Sequence, residues 1–515
     1  MIRARLALVV VLAVGLTIGG LALERSLGVR PAAVGTVSTP EALSGAWFCP
    51  HGGGEGWDLW VLVANPSEQP SRLVLTSHGA TSEASSATLE PQTHRYFSVS
   101  AEEPAAGTVV EFFGGQVAAS MVVARPEGRG LAAEPCTSTA ADRWYVPDGT
   151  AEVEGEGASI VVMNPTAADA VVDIVVTTER ESLRPGPLQG VVLGPGRVKA
   201  FDLNRFSLGA RTIAARVTAA VGRVAVAGFG LSEGGIRAEI GVSQLGRRWF
   251  LPGTGDGGRG ELVVAAPVAE VPFQARAQGS EQQVPALEQA NVEAGSIRTF
   301  TVPTREGGLV VEAEGSVPLV VARRSSFGGA GVEEPDEAMP GGESPSPAPS
   351  PSPDASPAQT PEESPTPGES PTASPTPSPS PTAADERPRP DRDRPEPTDT
   401  VDEASTAGSP VVAASWVVPP STGPKGGLAA LIIQNPGTRA IRARVLVFGS
   451  SGPVEAPELA EVEVPAGRVA VLDLEPVGEP VTALVTSTGG GVVAAQAALS
   501  AHAYAVCLGS PAVPY

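Results

Sequence analysis

Four times along this chain a tryptophan opens a Trp-x-x-Pro motif, and 18 to 21 residues later a second proline closes an apolar run. The spans run from Trp47 to Pro66, Trp144 to Pro165, Trp249 to Pro267 and Trp416 to Pro436. In three of them the closing proline follows asparagine, giving Asn65-Pro66, Asn164-Pro165 and Asn435-Pro436; the remaining copy has Ala266 before Pro267. A second landmark follows each span: "LEPQTHRYFSV" from 89, "LGPGRVKAFDL" from 193, "VEAGSIRTFTV" from 292 and "VPAGRVAVLDL" from 464. A pair of apolar runs split by a break comes next, starting near 108, 212, 309 and 481. Three landmarks in one order, four times over, mean a chain built as an array of like units.

Each unit reads as β. Its apolar runs are four to eight residues long, rich in Val, Ile, Leu and Phe, and bounded by Gly, Pro, Asn or Ser. Proline has no ladder donor and a fixed φ, so it ends a strand. The asparagine side chain bonds to nearby backbone and starts a turn. Asn-Pro is therefore a strand terminator at the same corner of every unit. About seven short strands in some 80 to 100 residues point to an all-β chain of four tandem immunoglobulin-like sandwiches. In that reading Trp47, Trp144, Trp249 and Trp416 are core plugs. The alternative is a closed, propeller-like ring of the four repeats.

Two stretches stand outside the repeats. Leu6 to Leu23 is uncharged and follows Arg3 and Arg5. As a helix it would be about 27 Å long, near the thickness of a bilayer's hydrocarbon core, and the positive-inside rule puts the rest of the chain outside. A cleaved signal peptide ending near Gly20-Leu21-Ala22 is the rival, but the stretch is long for a signal core. No cysteine lies near it for a lipid anchor. The second stretch is dominated by Pro, Ser and Thr and ends in a charged tail. It lacks the apolar surface that offsets ordering entropy and should be disordered, its composition suiting O-linked sugar. It either lets the fourth unit roam or is a long loop extruded from a compact array.

The expected organisation is a cytoplasmic tip (1–5), a transmembrane helix (6–23), a juxtamembrane segment (24–46), β repeats at 47–143, 144–248 and 249–327, a disordered segment (328–410) and a fourth repeat (411–515). The formal charge of −22 argues against nucleic acid, whose phosphates need basic neutralisation, and against a polybasic dock on anionic lipid.

At the Trp-x-x-Pro start, the Asn-Pro corner and the Pro-Gly-Arg segment, the sequence resembles a family of exported, membrane-anchored actinobacterial proteins known only as a domain of unknown function. It is similar also to tandem repeats of large secreted bacterial proteins with Trp-x-x-Pro…Asn-Pro units. The resemblance covers residues 47–327 and 416–515. It implies an immunoglobulin-like or similar all-β fold and an envelope location, and it brings no catalytic residues.

Chemistry is sparse. Three cysteines in an exported chain invite disulfide pairing: Cys49 with Cys136 leads, because first and last strands of a sandwich come close, and Cys49 with Cys507 would fasten a ring. Cys49, His51, His78 and His94 form the one enzyme-like set, for zinc or for acyl transfer, yet their spacing matches no ligand pattern. The acidic pieces at 147–159 and 252–261 lack a calcium-loop register and read as solvated turns. Trp57, Trp60 and Tyr96, in a unit holding three of the chain's six tryptophans, are a possible binding surface for a partner or a glycan. The reading is a non-enzymatic, single-pass envelope protein with its N-terminus cytoplasmic, needing no cofactor or metal, that binds or scaffolds outside the membrane. A glycan- or peptidoglycan-binding accessory role is the alternative; a Cys/His-dependent enzyme in repeat one is the weaker one.

Overall fold

A computed structural model of the chain describes residues 44–327 and 402–512, with interruptions at 80, 101–102, 126–129, 151–156, 208, 233–234, 254–258, 280–286, 303–306 and 501–502. Among these residues the architecture is all-β, with eight antiparallel sheets and a few single-turn helices. No helix among them is long and apolar enough to cross a membrane. The expected spanning segment, 6–23, and its flanks at 1–5 and 24–43 lie outside the described residues.

The eight sheets are two per repeat. In module one the strands are β1 (Ser44–Pro50), β2 (Asp58–Asn65), β3 (Ser71–His78), β4 (Ser82–Leu89), β5 (Thr93–Ser98), β6 (Gly107–Phe113), β7 (Ala118–Ala124) and β8 (Leu131–Pro135). One sheet has the order β1-β6-β3-β4 and the other β5-β2-β7-β8. The same two orders recur in modules two, three and four, with the fourth strand split in two in modules two and four and an extra edge strand, Ser510–Ala512, beside the first strand of module four. In an immunoglobulin domain the first strand pairs with the second and the seventh with the sixth. Here the central pairs, second with fifth and third with sixth, follow that plan. The outer strands have exchanged sheets: β1 pairs with β6 and β7 with β2.

The landmarks hold the same corners in each module. Trp144, Trp249 and Trp416 are fully buried and Trp47 half-buried. Each indole N–H donates to the backbone carbonyl that precedes or opens the seventh strand: Val117, Val224, Leu319 and Val492, at 2.8, 2.6, 3.0 and 2.7 Å. A buried polar N–H thus has a partner, which lets an indole serve as a plug. The second strand of each module ends at the Asn-Pro or Ala-Pro corner. Asn164 donates to the carbonyls of Ala168, Leu193 and Gly194 and accepts from Thr166. Asn65 does the same with Gln69, Leu89, Glu90 and Ser67. Asn435 does so with Arg439, Val464, Pro465 and Gly437. One side chain therefore clamps its own turn to the turn that precedes the fifth strand.

The structure differs from the expectation in the number of strands per module and in one boundary. Each module has an eighth strand: Leu131–Pro135, Gly235–Ile240, Asp402–Ala407 and Ala503–Leu508. The third of these lies within 328–410, the segment expected to be disordered, and completes the sheet of module three by pairing with its seventh strand, Val320–Phe327. The Pro/Ser/Thr segment therefore interrupts a module between its last two strands and does not join one module to the next.

The four eighth strands pack in a cycle: that of module one against those of two and four, and that of module three against the same two. No sheet closes on itself; the modules close around an axis. Apolar contacts seal each junction, with Phe229 and Ile236 in the core of module one, Tyr145 and Ala214 in that of three, and Phe250 and Val310 in that of four. Leu62 and Ala64 meet Val417 and Phe448 where module four returns to module one. After each eighth strand the chain bonds back to its own first strand, at Phe48–Thr137, Tyr145–Val242, Phe250–Ser409 and Val417–Ser510.

Candidate functional site

The amides that follow the eighth strands set the equivalences at the axis. Cys136, Gly241, Gly408 and Gly509 each donate to the seventh strand, to Ala119, Val226, Val321 and Ala494. Two residues earlier stand Glu134, Glu239, Thr406 and Cys507, all at most 3 % exposed. Glu134 interacts with all three of its counterparts or their neighbours: its Oε2 accepts from the Ile240 amide at 3.4 Å, and it bonds to the Thr406 hydroxyl and feels the charges of Glu239 and Cys507. The four positions meet at the centre of the ring.

The electrostatics there are uneven. Burial pushes the Glu134 carboxyl well above the usual range, against the Ile240 and Thr406 hydrogen bonds. Glu239 is pushed up by burial, then by the charges of Asp148 and Glu134, although its Oε2 accepts from the Asp148 amide at 3.0 Å. The buried Cys507 thiol is raised by burial and by Glu134. Beside them Asp148 stays ionised. Burial alone would raise it, but Arg324 and then Arg237 hold it at about 2. Arg324 pairs with Asp148 and, at 3.1 Å, with Glu261, while Arg237 lies 3.7 Å from Asp148. Paired charges survive burial because each keeps a partner. Asp148 and Glu261 thus belong to a partly buried ionic network and not to the solvated turns expected of 147–159 and 252–261.

Above this cluster, at the end of the axis where the eighth strands finish, lies a cavity of about 470 Å³. The segments after the four eighth strands form its rim, among them Thr137, Ser138, Ser243, Gln244, Ser409 and Ser510. Trp47, Phe112, Trp144 and Trp416 supply apolar wall, and among the described lining residues Glu134 is the one that is ionisable as an acid or base. Concave, largely apolar sites with a few convergent polar groups are where small ligands bind.

The residues singled out from sequence do not assemble there as a set. Cys49 and Cys136 form a disulfide, S–S 2.01 Å and Cα–Cα 4.7 Å; its sulfurs are spent, and Cys136 contributes only to the cavity floor. The alternative bond from Cys49 to Cys507 is not made, and Cys507 is free and buried. Module four is therefore held to module one without a covalent link between these cysteines. His51 is buried, with Nδ1 against the Gly52 carbonyl and Nε2 against Thr108 Oγ1. His94 reaches across to Thr482 of module four at 3.1 Å, and His78 lies half-buried beside Ser82. Among the described residues no group of three or more His, Cys, Asp or Glu is placed to hold a metal ion. Trp60 and Tyr96 lie on one face of the β2–β5 pair, against the Thr422–Gly423 segment of module four, and Trp57 packs elsewhere. Trp57 packs on the core of module one, and Trp60 lies near Ala505 and Cys507 of module four. Tyr96 packs on the junction with module four and donates its hydroxyl to the Thr422 carbonyl at 3.0 Å. What sequence reading missed is the Glu134–Glu239 pair. Its only signal was a carboxylate two residues before Cys136 and before Gly241.

A family model described as a family of unknown function (DUF5719) matches residues 104–348. The match begins just before β6 and ends after the seventh strand of module three, short of that module's eighth strand and of module four. It agrees with the motif-level resemblance to a domain of unknown function. No curated protein and no solved structure matches the chain.

Proposed function

We propose that the chain is a non-enzymatic binding or scaffolding protein of the cell envelope, standing outside the membrane and held there by its apolar segment at 6–23. In this reading the modules are used as immunoglobulin-like sandwiches are, as hydrogen-bonded frames that carry variable corners, and the axial cavity is the ligand site. The observation that carries it is the convergence of the corners after all four eighth strands on one cavity, above a frame that the four tryptophans hold in register. The Cys49–Cys136 disulfide supports an oxidising compartment. A glycan-binding role is the second reading; Trp60 and Tyr96 pack against module four, and the cavity wall offers further aromatic rings to it.

The test is photo-crosslinking in cells that make the full chain. A photoreactive residue replaces exposed Ser138 on the rim or Val192, which is 63 % exposed in module two and not part of the cavity lining. The expected result is a discrete adduct from position 138, in the membrane fraction, and none from 192. Equal labelling at both positions, or no adduct at either, overturns the reading.

A further inference from the structure

We propose that the end of the ring at which the axial cavity opens is a contact face for a phospholipid bilayer. The inference deepens the reading above and rests on its membrane-held chain. Strand pairing is antiparallel in every module. The turns after the second, fourth, sixth and eighth strands therefore share one end, the end where the eighth strands finish and the cavity opens. Ser44, at the start of β1, lines that cavity. The apolar stretch closes at Leu23, so twenty residues separate it from Ser44, and a chain of that length reaches at most about 70 Å. The cavity end is thus the end tied nearest the lipid, and the opposite end lies a strand's length farther.

The surface agrees with that attachment. Seven large hydrophobic side chains stand exposed among the described residues. Single ones are normal on any surface, but their placement here is uneven. Phe113 ends the sixth strand of module one and Val221 that of module two; Val268 follows the second strand of module three, and Val412 lies on the link into module four. Each module thus gives one to the cavity end, 41 to 61 % exposed. Of the other three, Val192 and Val471 lie on the outer-edge strands of their sheets and Leu428 at the opposite end. Set one to a module, the four do not make the close-packed core of a protein–protein interface, whereas a fluid bilayer meets each where it stands. Phe113 has the Arg72 guanidinium 5.8 Å from its ring centroid, an apolar body beside a cationic tip, which suits a headgroup boundary. Charge divides the two ends in the same sense. The turns before the seventh strands and the segments after the eighth carry exposed Arg143, Arg223, Arg247 and Arg248 against Asp142 and Glu314. The insertion at 328–401 is joined to the opposite end, at Phe327 and Asp402. It holds fifteen acidic and four basic residues, half of the chain's net negative charge. Anionic lipid attracts the first end and repels the second.

The experiment places the full chain in vesicles of phosphatidylcholine and phosphatidylglycerol. A polarity-sensitive fluorophore is attached to Val268→Cys or, at the opposite end, to Leu428→Cys; the chain without either substitution, whose free Cys507 is buried, gives the blank. Nitroxide-labelled lipid should quench the fluorophore at 268 by about two-fold or more, as for a group at the headgroup boundary, and leave that at 428 unchanged. Val221→Cys is the second probe, should follow 268, and replaces it if the 268 variant does not fold. Equal quenching at the two ends, or none at the cavity end, overturns the proposal. So does a blue shift at 268 without quenching, which would put protein there instead of lipid. Flotation separates the two readings. A chain that floats with the vesicles yet shows no quenching at the cavity end keeps the membrane-held reading and removes this one; a chain that does not float removes both.

Discussion

In modules one, two and four one asparagine joins two turns that are 24 to 30 residues apart in sequence. Its amide nitrogen donates three hydrogen bonds and its oxygen accepts from the residue two places on, so the two ends are not interchangeable. Asn164→Ala should destabilise the chain by about 2–3 kcal/mol by leaving buried carbonyls unpaired. Asn164→Asp should cost more, because three carbonyls would then face an acceptor. Denaturant unfolding that ranks Asp above Ala would contradict the clamp. The turn it holds has a second demand. Gly196, Gly295 and Gly467 sit there at φ 64 to 69°, and module one places Gln92 at φ 49°. Gln92→Gly should therefore raise stability, by about 1 kcal/mol in the same assay. Buried histidines set the acid response. His51 and His94 are lowered to about 4 by burial. The unfolded chain takes up protons first, so stability falls as pH drops from about 6.5 to about 4, by up to roughly 3 kcal/mol for each histidine. Glu134 and Glu239, raised in the fold, act in the opposite sense and weaken it as pH rises above the ordinary carboxylate range. Replacing both histidines by Gln should flatten the acid limb of stability measured against pH; an unchanged limb would place the sensitivity elsewhere. The Asn-Pro corner was legible in sequence because a turn and its terminator are local. The carbonyls it clamps were not, since they are brought near only by the fold.

At the scale of the strand, the eighth strands decide both the architecture and the site, and they are the elements the sequence hid. "LAAEP" and "DEASTA" do not alternate apolar with polar residues, because such strands are covered on both faces and their small side chains let four strands approach one axis. Half-buried strands announce themselves by period two, and central ones do not. The disulfide was foreseen from first-strand and last-strand proximity, which depends only on a sandwich forming. What it replaces was not foreseen. Opposite Cys49 and Cys136 of module one, modules two, three and four carry Val146 with Gly241, Leu251 with Gly408 and Val418 with Gly509. A Cβ on Gly509 would lie 2.9 Å from Val418 Cγ2, and one on Gly408 3.2 Å from Leu251 Cγ. The large-and-absent pair therefore fills the same space as the covalent one. Replacing Cys49 by Val together with Cys136 by Gly should leave module one folded, with indole and clamp intact. The cost should be the constraint on an 87-residue loop, about 4–5 kcal/mol in a loop-entropy account. Calorimetry showing module one unfolded at room temperature in this double variant would mean that the bond supplies packing that Val and Gly cannot.

For the whole molecule the consequence of closure is that no module has a free inner edge, which is where an unpaired sheet would recruit another chain. Each eighth strand is flanked by two others around the axis, and the last module returns to the first through His94 with Thr482 and Phe448 with Leu62. The Pro/Ser/Thr segment leaves module three after its seventh strand and comes back as its eighth. Residues 402–512 are consequently bound to 44–327 by a six-pair strand ladder and by the junctions of module four with modules three and one. A specific protease site placed near residue 360 should therefore be cut without separating the halves. The nicked protein should elute from size exclusion as one species at the position of the intact chain and unfold in a single calorimetric transition. Because the link no longer bounds the entropy of the unfolded state, its unfolding temperature should be lower and should rise with protein concentration. Elution as two fragments under native conditions would show that modules three and four depend on the covalent segment, and that the closed cycle of eighth strands does not hold the molecule together.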